Sequence, residues 1–579
     1  MSKHRFQSLS TRRYHHKSAY LSVATEKQLQ LCLFSPRYLC INLNVAMSRL
    51  FFLSVIFVLS GTLAGQIKDP IQKLSTSPAE IEALAATIKV EDMKRHLNVL
   101  AADDMEGRET GEPGQKRAAE YLRKQIAGLG LPAIGENGGY YQRILFVRQK
   151  WDAIELKLNG ETLRHLWEYA SAPSANAHRE ATKISELTFL GYGIEDDRYS
   201  DYAGKSVAGK HILIFSGEPK GRKGIYPVSG TTDASAWSTD NERKLEIAKA
   251  KGVATVFIID PNFKTNVRNI RQETLDGRMR MAEMAEADRK TANVVYLTPQ
   301  LARKMMGKAG KKVIKARKKI EKSGRSKAVT VPVNLELTQT KNVRELIGEN
   351  VLGYLEGTDP KLKDEVLVVS AHYDHIGKRG DNVFNGADDN GSGTTTVLEV
   401  AEAFVTASKQ GKGPRRSVLF LLVSGEEKGL LGSEYYASHP VFPLEKTIAD
   451  INVDMVGRVD DEHADNPEYI YVIGSDRLST ELHRINEYVN KKYTQLELDY
   501  TYNAEDDPNR YYYRSDHYNF AVKGIPSIFY FNGTHADYHQ ATDTVEKINF
   551  EKMEKIGRLI FHTAWQLANQ DRRIKVDVK

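Results

Sequence analysis

The chain has 579 residues, 41% of them hydrophobic and 27% charged, with a formal net charge of +7. That length exceeds one ordinary hydrophobic core, so two or more domains are expected. The excess charge sits in residues 1–65, where eight Lys/Arg face Glu26 alone. The remainder is neutral overall, which excludes a global electrostatic case for nucleic-acid binding.

Met47-Ser-Arg49 precedes an apolar run from Leu50 to Leu59, followed by Ser60-Gly-Thr-Leu-Ala-Gly65. A short basic start, an apolar core and a small-residue zone read as a secretory signal peptide over 47–65. Residues 1–46 then read as an upstream extension and Met47 as the true start. The apolar run is too short to span a bilayer comfortably, so no stable membrane span is expected in the mature chain. Cys32 and Cys40 both precede Met47. The mature protein is expected to be exported, periplasmic or extracellular, without disulfides or thiolate-bound zinc.

Residues 67–75 read as a linker, and 78–130 as two helices. The second is amphipathic, with Ala118, Tyr121, Leu122, Ile126 and Leu129 at helical spacing. Between them lies a glycine-rich loop, Met105 to Gly114. From about 151 to 340 short strand-like runs (187–190, 211–215, 255–259, 293–297) alternate with polar loops, and an inserted domain is expected. Arg303 to Lys327 carries twelve Lys/Arg against Glu321 alone. This reads as the solvated face of an amphipathic helix. From 349 onward strands and helices alternate. Helices are expected over 391–407, 427–438, 480–492 and 550–569, with a late strand over 526–531. The fold class is therefore α/β: a mixed, largely parallel central sheet flanked by helices, in two parts (76–150 and 341–570), with a β-rich insert over 151–340.

Five residues able to bind metal mark the C-terminal half. Val366 to Ala371 runs into His372, Val418 to Val423 runs towards Glu426-Glu427, and Ile448 to Val453 runs into Asp454. Asp389 opens a turn, Asp-Asn-Gly-Ser-Gly, and His539 follows later. In open α/β sheets, ligand-binding groups gather at the carboxyl ends of strands. Each element alone is an ordinary polar loop or helix start; in this order they form a set. Three carboxylates and two imidazoles suit zinc. Five ligands serve two ions if one carboxylate bridges. Glu426 is then free to take a proton from a metal-activated water, which is the chemistry of amide hydrolysis. Asp374, two residues after His372, and Asp543, four after His539, stand within reach to accept the free N–H of those imidazoles.

Five stretches resemble the M28 family of dizinc metallopeptidases: Ser370 to Gly377, Asn385 to Gly393, Ser424 to Ser433, Asn452 to Gly457 and Asp537 to Asp543. The resemblance covers roughly 76–150 and 349–570. It implies two Zn2+ ions, with Asp389 bridging, Glu427 and His539 completing one site, and His372 and Asp454 the other. Asp388 competes for the bridge; Asp389 is preferred because it stands just before the x-Gly-Ser-Gly element. Glu426 matches the general base, and Tyr538 matches a tyrosine that steadies an oxyanion in some members. The insert resembles a protease-associated (PA) domain through Gly191-Tyr-Gly193, Asp201-Tyr202, Val207 to His211 and Ala248 to Gly252. The implied activity is an aminopeptidase acting on peptides. The alternatives are a carboxypeptidase or dipeptidase, with Arg510 or Arg514 holding a substrate carboxylate, and glutaminyl cyclase, disfavoured because all five ligands are present.

Overall fold

The computed structural model describes residues 71–286 and 291–578. The expected upstream extension and signal peptide lie outside the described residues. Three helices come first: α1 (Pro78–Ala85), α2 (Val90–Leu100) and α3 (Pro113–Gly128). The sequence predicts two here; a break between Ala86 and Lys89 makes the third. Ser77 caps α1 through a reciprocal bond with Glu80, and Pro78 opens its first turn.

Strand β1 (Tyr141–Leu158) leads into the insert. There β2 (Arg179–Phe189), β3 (His211–Phe215), α4 (Asn241–Ala250), β4 (Thr255–Ile259), α5 (Phe263–Asp276), β5 (Arg278–Met281), β6 (Asn293–Leu297), α6 (Pro299–Met306) and α7 (Gly310–Ser323) follow in order. The chain returns along β7 (Val329–Leu355). It continues through β8 (Val366–His372), α8 (Gly393–Lys409), β9 (Ser417–Val423), α9 (Leu431–Ser438), β10 (Thr447–Val453), β11 (Tyr469–Ile473), α10 (Thr480–Val489), β12 (Ser527–Phe531) and α11 (Phe550–Asn569).

Strands β9, β8, β10 and β12 lie side by side and parallel. β11 and β7 flank them antiparallel. Every residue of β8, β9 and β10 is buried, because helices cover both faces. The alternation of a strand sends Leu367, Val369, Phe420 and Ile451 to the side of α2, α8 and α11. Val368, Leu419 and Leu421 face the other side, with Tyr436 of α9.

The insert is layered as well. β2, β3, β4 and β6 are parallel neighbours. Leu213, Phe257 and Val295 pack with Leu301 and Val313 of α6 and α7. Ile212, Val256 and Val294 pack with Leu245 and Ala248 of α4. The insert is thus strands sandwiched by helices and not mainly strands. The basic stretch falls on α6 and α7, where Val313, Ala316 and Ile320 are buried and Arg317 pairs with Glu321 at 3.0 Å.

The expected boundaries at 150/151 and 340/341 fall inside β1 and β7, which pair with each other from Tyr141/Val351 to Leu158/Leu335. The change in sequence texture there marks a change of neighbours and not the end of a strand. The same region holds a register shift between Trp151 and Ala153, leaving Asp152 as the bulged residue. Among the described residues, no helix is long and apolar enough to cross a membrane.

Candidate metal centre

His372 closes β8 and is 1% exposed. Its Nδ1 lies 3.1 Å from the backbone carbonyl of Asp374, leaving Nε2 to face the site. The Asp374 carboxylate is 3.8 Å from Nδ1. The expected acceptor is therefore corrected to the carbonyl of the same residue. The carboxylate instead accepts from Thr110 Oγ1 at 2.6 Å and from the Glu426 N–H at 3.2 Å.

The turn after Asn385 is locked by Asn390. Its Nδ2 donates to the Val453 carbonyl at 2.9 Å, and its Oδ1 accepts from the N–H of Gly393 and of Met455. The turn is thereby fixed to the end of β10, and α8 begins two residues later than expected. Asp388 and Asp389 diverge. Asp388 accepts from the Gly457 N–H at 2.7 Å and lies 3.1 Å from His535. Asp389 turns into the site, with Oδ1 3.5 Å from His372 Nε2 and Oδ2 3.0 Å from His539 Nε2. Its two oxygens thus face two separate histidines, as a bridging carboxylate would.

Asp454 Oδ1 lies 3.2 Å from His372 Nε2, and its Oδ2 accepts from Ser515 Oγ at 2.7 Å. Glu427 Oε2 is 3.4 Å from His539 Nε2. Glu426 Oε2 stands 3.9 Å from His372 Nε2. All five expected ligands and Glu426 therefore converge. Asp543 was expected to hold His539. It accepts the backbone N–H groups of Asp388 and Asp389 instead, so it braces the turn and not the imidazole. The Tyr538 ring stacks on His539 at 3.9 Å, and its hydroxyl lies 3.4 Å from Arg514 Nη2. Tyr538, Arg514, Met455, Tyr511, Phe529 and Phe531 line a small cleft that opens onto Asp389, Glu426 and Asp454. Arg510 instead packs on the Tyr513 ring.

The electrostatics call for a cation. Burial alone would depress His372, but Asp454, Glu426 and Asp389 outweigh it and push the imidazole well above its ordinary range. His539 is likewise driven up to about 10 against its burial, by Asp389 and Glu427. Burial opposes charge on Glu427, yet His375 and His539 hold it well below the carboxylate range. Burial pushes Glu426 well above that range, a shift His372 opposes and Asp454 reinforces. These directions mark a buried excess of carboxylate charge, which a bound cation would offset. The donor set of imidazole and carboxylate, with no thiolate, fits zinc.

Sequence reasoning missed several supports. Arg108 is fully buried and donates to the carbonyls of Leu100, Tyr373, Asn385 and Gly386, tying the first helices to the strand end and the turn. Its signal was the glycine-rich loop. A Cβ on Gly107 would stand 2.3 Å from the Gly377 carbonyl oxygen, so the loop needs glycine to approach. Thr110 sits in the same loop; Ser515 has no such signal. His375, three residues after His372, also reaches the cluster: its Nδ1 lies 2.7 Å from Glu427 Oε1.

An α/β fold with a histidine–carboxylate cluster at its strand ends is the architecture of a metallohydrolase. Residues 350–564 match the model of Peptidase family M28. A probable leucine aminopeptidase of Trichophyton verrucosum is 32% identical over 216 residues, covering 36% of this chain and 56% of the relative. Aminopeptidase YwaD of Bacillus subtilis is 25% identical over 307 residues, covering 51% of this chain and 61% of the relative. The chain thus spans a little over half the length of these curated relatives. Among solved structures, an aminopeptidase from Aneurinibacillus sp. strain AM-1 shares the fold, with a TM-score of 0.50 and 18% identity. That similarity covers 86% of this chain and 98% of the other.

Proposed function

We propose that this protein is a zinc-dependent exopeptidase, an aminopeptidase that removes N-terminal residues from peptides. The observation that carries this is Asp389, whose two oxygens face His372 and His539 separately, with Glu426 beside them. His372, Asp389 and Asp454 would hold one ion; Asp389, Glu427 and His539 would hold the other. Bound zinc would polarise the scissile carbonyl and acidify a water at neutral pH. Glu426, whose Oε2 stands 3.9 Å from His372 Nε2, would take the proton from a water at the site and pass it to the departing amine. Tyr538, at the cleft wall, would donate a hydrogen bond to the oxyanion. Met455, Tyr511, Phe529 and Phe531 would receive the substrate side chain and exclude water.

Residues 151–340 would form a PA-type insert that shapes access for longer peptides. The signal-peptide pattern supports export, and terminal sequencing of the exported protein should begin near Gln66.

The test pairs elemental analysis with a substrate panel. Zinc-replete protein should approach two zinc per chain and cleave free-amine aminoacyl substrates while leaving N-blocked peptides intact. One zinc with full activity would refute the two-metal reading, and cleavage of blocked peptides would refute the aminopeptidase. A second reading rests on Arg514, whose guanidinium lines the cleft. It would hold a substrate carboxylate, as in a dipeptidase. Faster turnover of free dipeptides than of their C-terminal amides would favour it.

A further inference from the structure

His375 is fully buried, and neither of its ring nitrogens has a hydrogen-bond partner. Buried polar groups are ordinarily satisfied, so two orphaned imidazole nitrogens need an explanation. Nδ1 faces the cluster, 2.7 Å from Glu427 Oε1 and 3.8 Å from Asp389 Oδ2. Glu427 Oε1 also lacks a hydrogen-bond partner, so the two atoms are close without being aligned as donor and acceptor. That is how two ligands of one ion stand to each other.

The spacing agrees. Donor atoms that share one tetrahedral zinc at ~2.0–2.1 Å lie roughly 3.3 Å apart. Around Asp389 and Glu427 the imidazole contacts are 2.7 and 3.8 Å for His375, and 3.0 and 3.4 Å for His539. The two rings are 5.7 Å apart between centres and inclined by 69°. Two imidazoles bound to one zinc have ring centres about 5–6 Å apart.

The backbone makes room for this ring. A Cβ on Gly386 would stand 2.5 Å from His375 Cδ2 and 2.6 Å from Cγ. Glycine is needed at 386 for the ring to lie where it does, three residues before Asp389.

We infer that His375 is a metal ligand: with Asp389, Glu427 and His539 it encloses one ion in a closed four-ligand position, while His372, Asp389 and Asp454 leave the other ion open. This rests on the two-metal reading above. Closed positions with four protein ligands hold zinc structurally, and open ones with three protein ligands leave room for reactants. The two ions therefore differ in kind. The enclosed one is retained and sets the position of the shared Asp389. The open one, next to Glu426, exchanges and meets the substrate.

Zinc X-ray absorption on zinc-replete protein counts bound imidazoles directly. Three histidines shared by two ions give about one and a half imidazoles per zinc, against about one if His375 does not bind. His375→Ala should lower the count to about one, and Gly386→Ala, which displaces the ring, should do the same. Titration with a chelator should release one zinc at least ~10-fold more readily than the other in the native protein, and His375→Ala should abolish that gap. A count of one in the native protein overturns the inference, whether or not the variants fold. So does a count that His375→Ala leaves unchanged in a folded protein. If elemental analysis finds one zinc, the two-metal reading fails; the closed position then predicts two imidazoles on that ion, and fewer overturns it.

Discussion

Asp374 accepts the backbone N–H of Glu426 at 3.2 Å, so the loop that carries Glu426 is pinned to the end of the strand that carries His372. The other carboxylate oxygen takes the Thr110 hydroxyl at 2.6 Å, which brings the first helical region into the same anchor. Asp374 contacts Thr110 and the Glu426 backbone, and in the proposed reaction it would not meet the reacting atoms. It would position those that do.

Asp374→Ala should therefore lower kcat by about 10–100-fold with KM little changed. Zinc content should remain near that of the native protein, because no expected ligand is removed. Steady-state kinetics with elemental analysis checks this. A fall in zinc that matches the fall in kcat would give Asp374 a metal-holding role instead.

Glu426 and Glu427 are adjacent in sequence and opposite in character. Burial raises the proton affinity of Glu426, while His375 and His539 overcome burial at Glu427 and hold it charged. Glu426→Gln keeps the shape and loses the base, so kcat should drop by roughly 10²–10⁴-fold with zinc still bound. Glu427→Ala should lose zinc. Near-normal turnover in Glu426→Gln would remove the general-base assignment.

Much of this site is legible in sequence because strands display it. Val366–Ala371, Val418–Val423 and Ile448–Val453 are continuous apolar runs, and each points to a ligand at its end. His375 is not legible that way. It lies beyond the strand, in a loop whose path depends on Arg108 and Gly386, which are distant in sequence. The start of α9 is displaced for a local reason. Glu426–Lys428 forms a tight turn and Leu430 takes φ 60, so the helix starts at Leu431 and not at 427. The pattern does not show strand β7 because Pro332 and the polar stretch Thr338 to Glu345 interrupt it, although β1 pairs with β7 from Leu335 to Val351.

Away from the centre, Glu399 on α8 is 2% exposed, with His96 at 3.6 Å. Burial, with Asp92 and Glu402 nearby, raises Glu399 from 4.5 to about 8. The native state keeps a proton here that the unfolded chain releases. Stability from this group is fully present below about pH 4.5 and is lost as pH rises through about 8. His96 works in the opposite direction: burial lowers it to about 4, so its contribution is present above 6.5 and lost as pH falls through about 4. Glu399→Gln removes only the first effect. Its Tm relative to the native protein should rise more at pH 9 than at pH 5. An equal difference at both values would mean that Glu399 titrates normally.

None of the expected ligands lies within the insert. Replacing 155–335 by a short Gly/Ser linker should leave zinc bound and small aminoacyl substrates cleaved, while longer peptides change in KM. The structure adds a stability cost. Met279 and Met281 of β5 share a buried cluster with Ile144, Phe146, Leu346 and Leu431, the last at the start of α9 just beyond Glu427. Deletion uncovers that cluster, so Tm should fall. Met281→Ala alone should cost about 2–5 kcal/mol. Chemical denaturation of both proteins checks this; an unaltered peptide-length profile would make the insert a remote module.

The joint between the insert and the site is built on the hydrogen-bonded ribbon of β1 and β7, with Asp152 as its bulge and β5 paired to β1 beside it. A ribbon cannot swivel as a glycine linker does. Sliding would break the ladder on both sides, and stretching is fixed by the strand rise. Twist and bend at the bulge are the soft coordinates, since bulges already carry extra twist. Motion of the insert about this joint would therefore follow an arc set by backbone geometry, and changes near Asp152 would alter its angle without altering its reach.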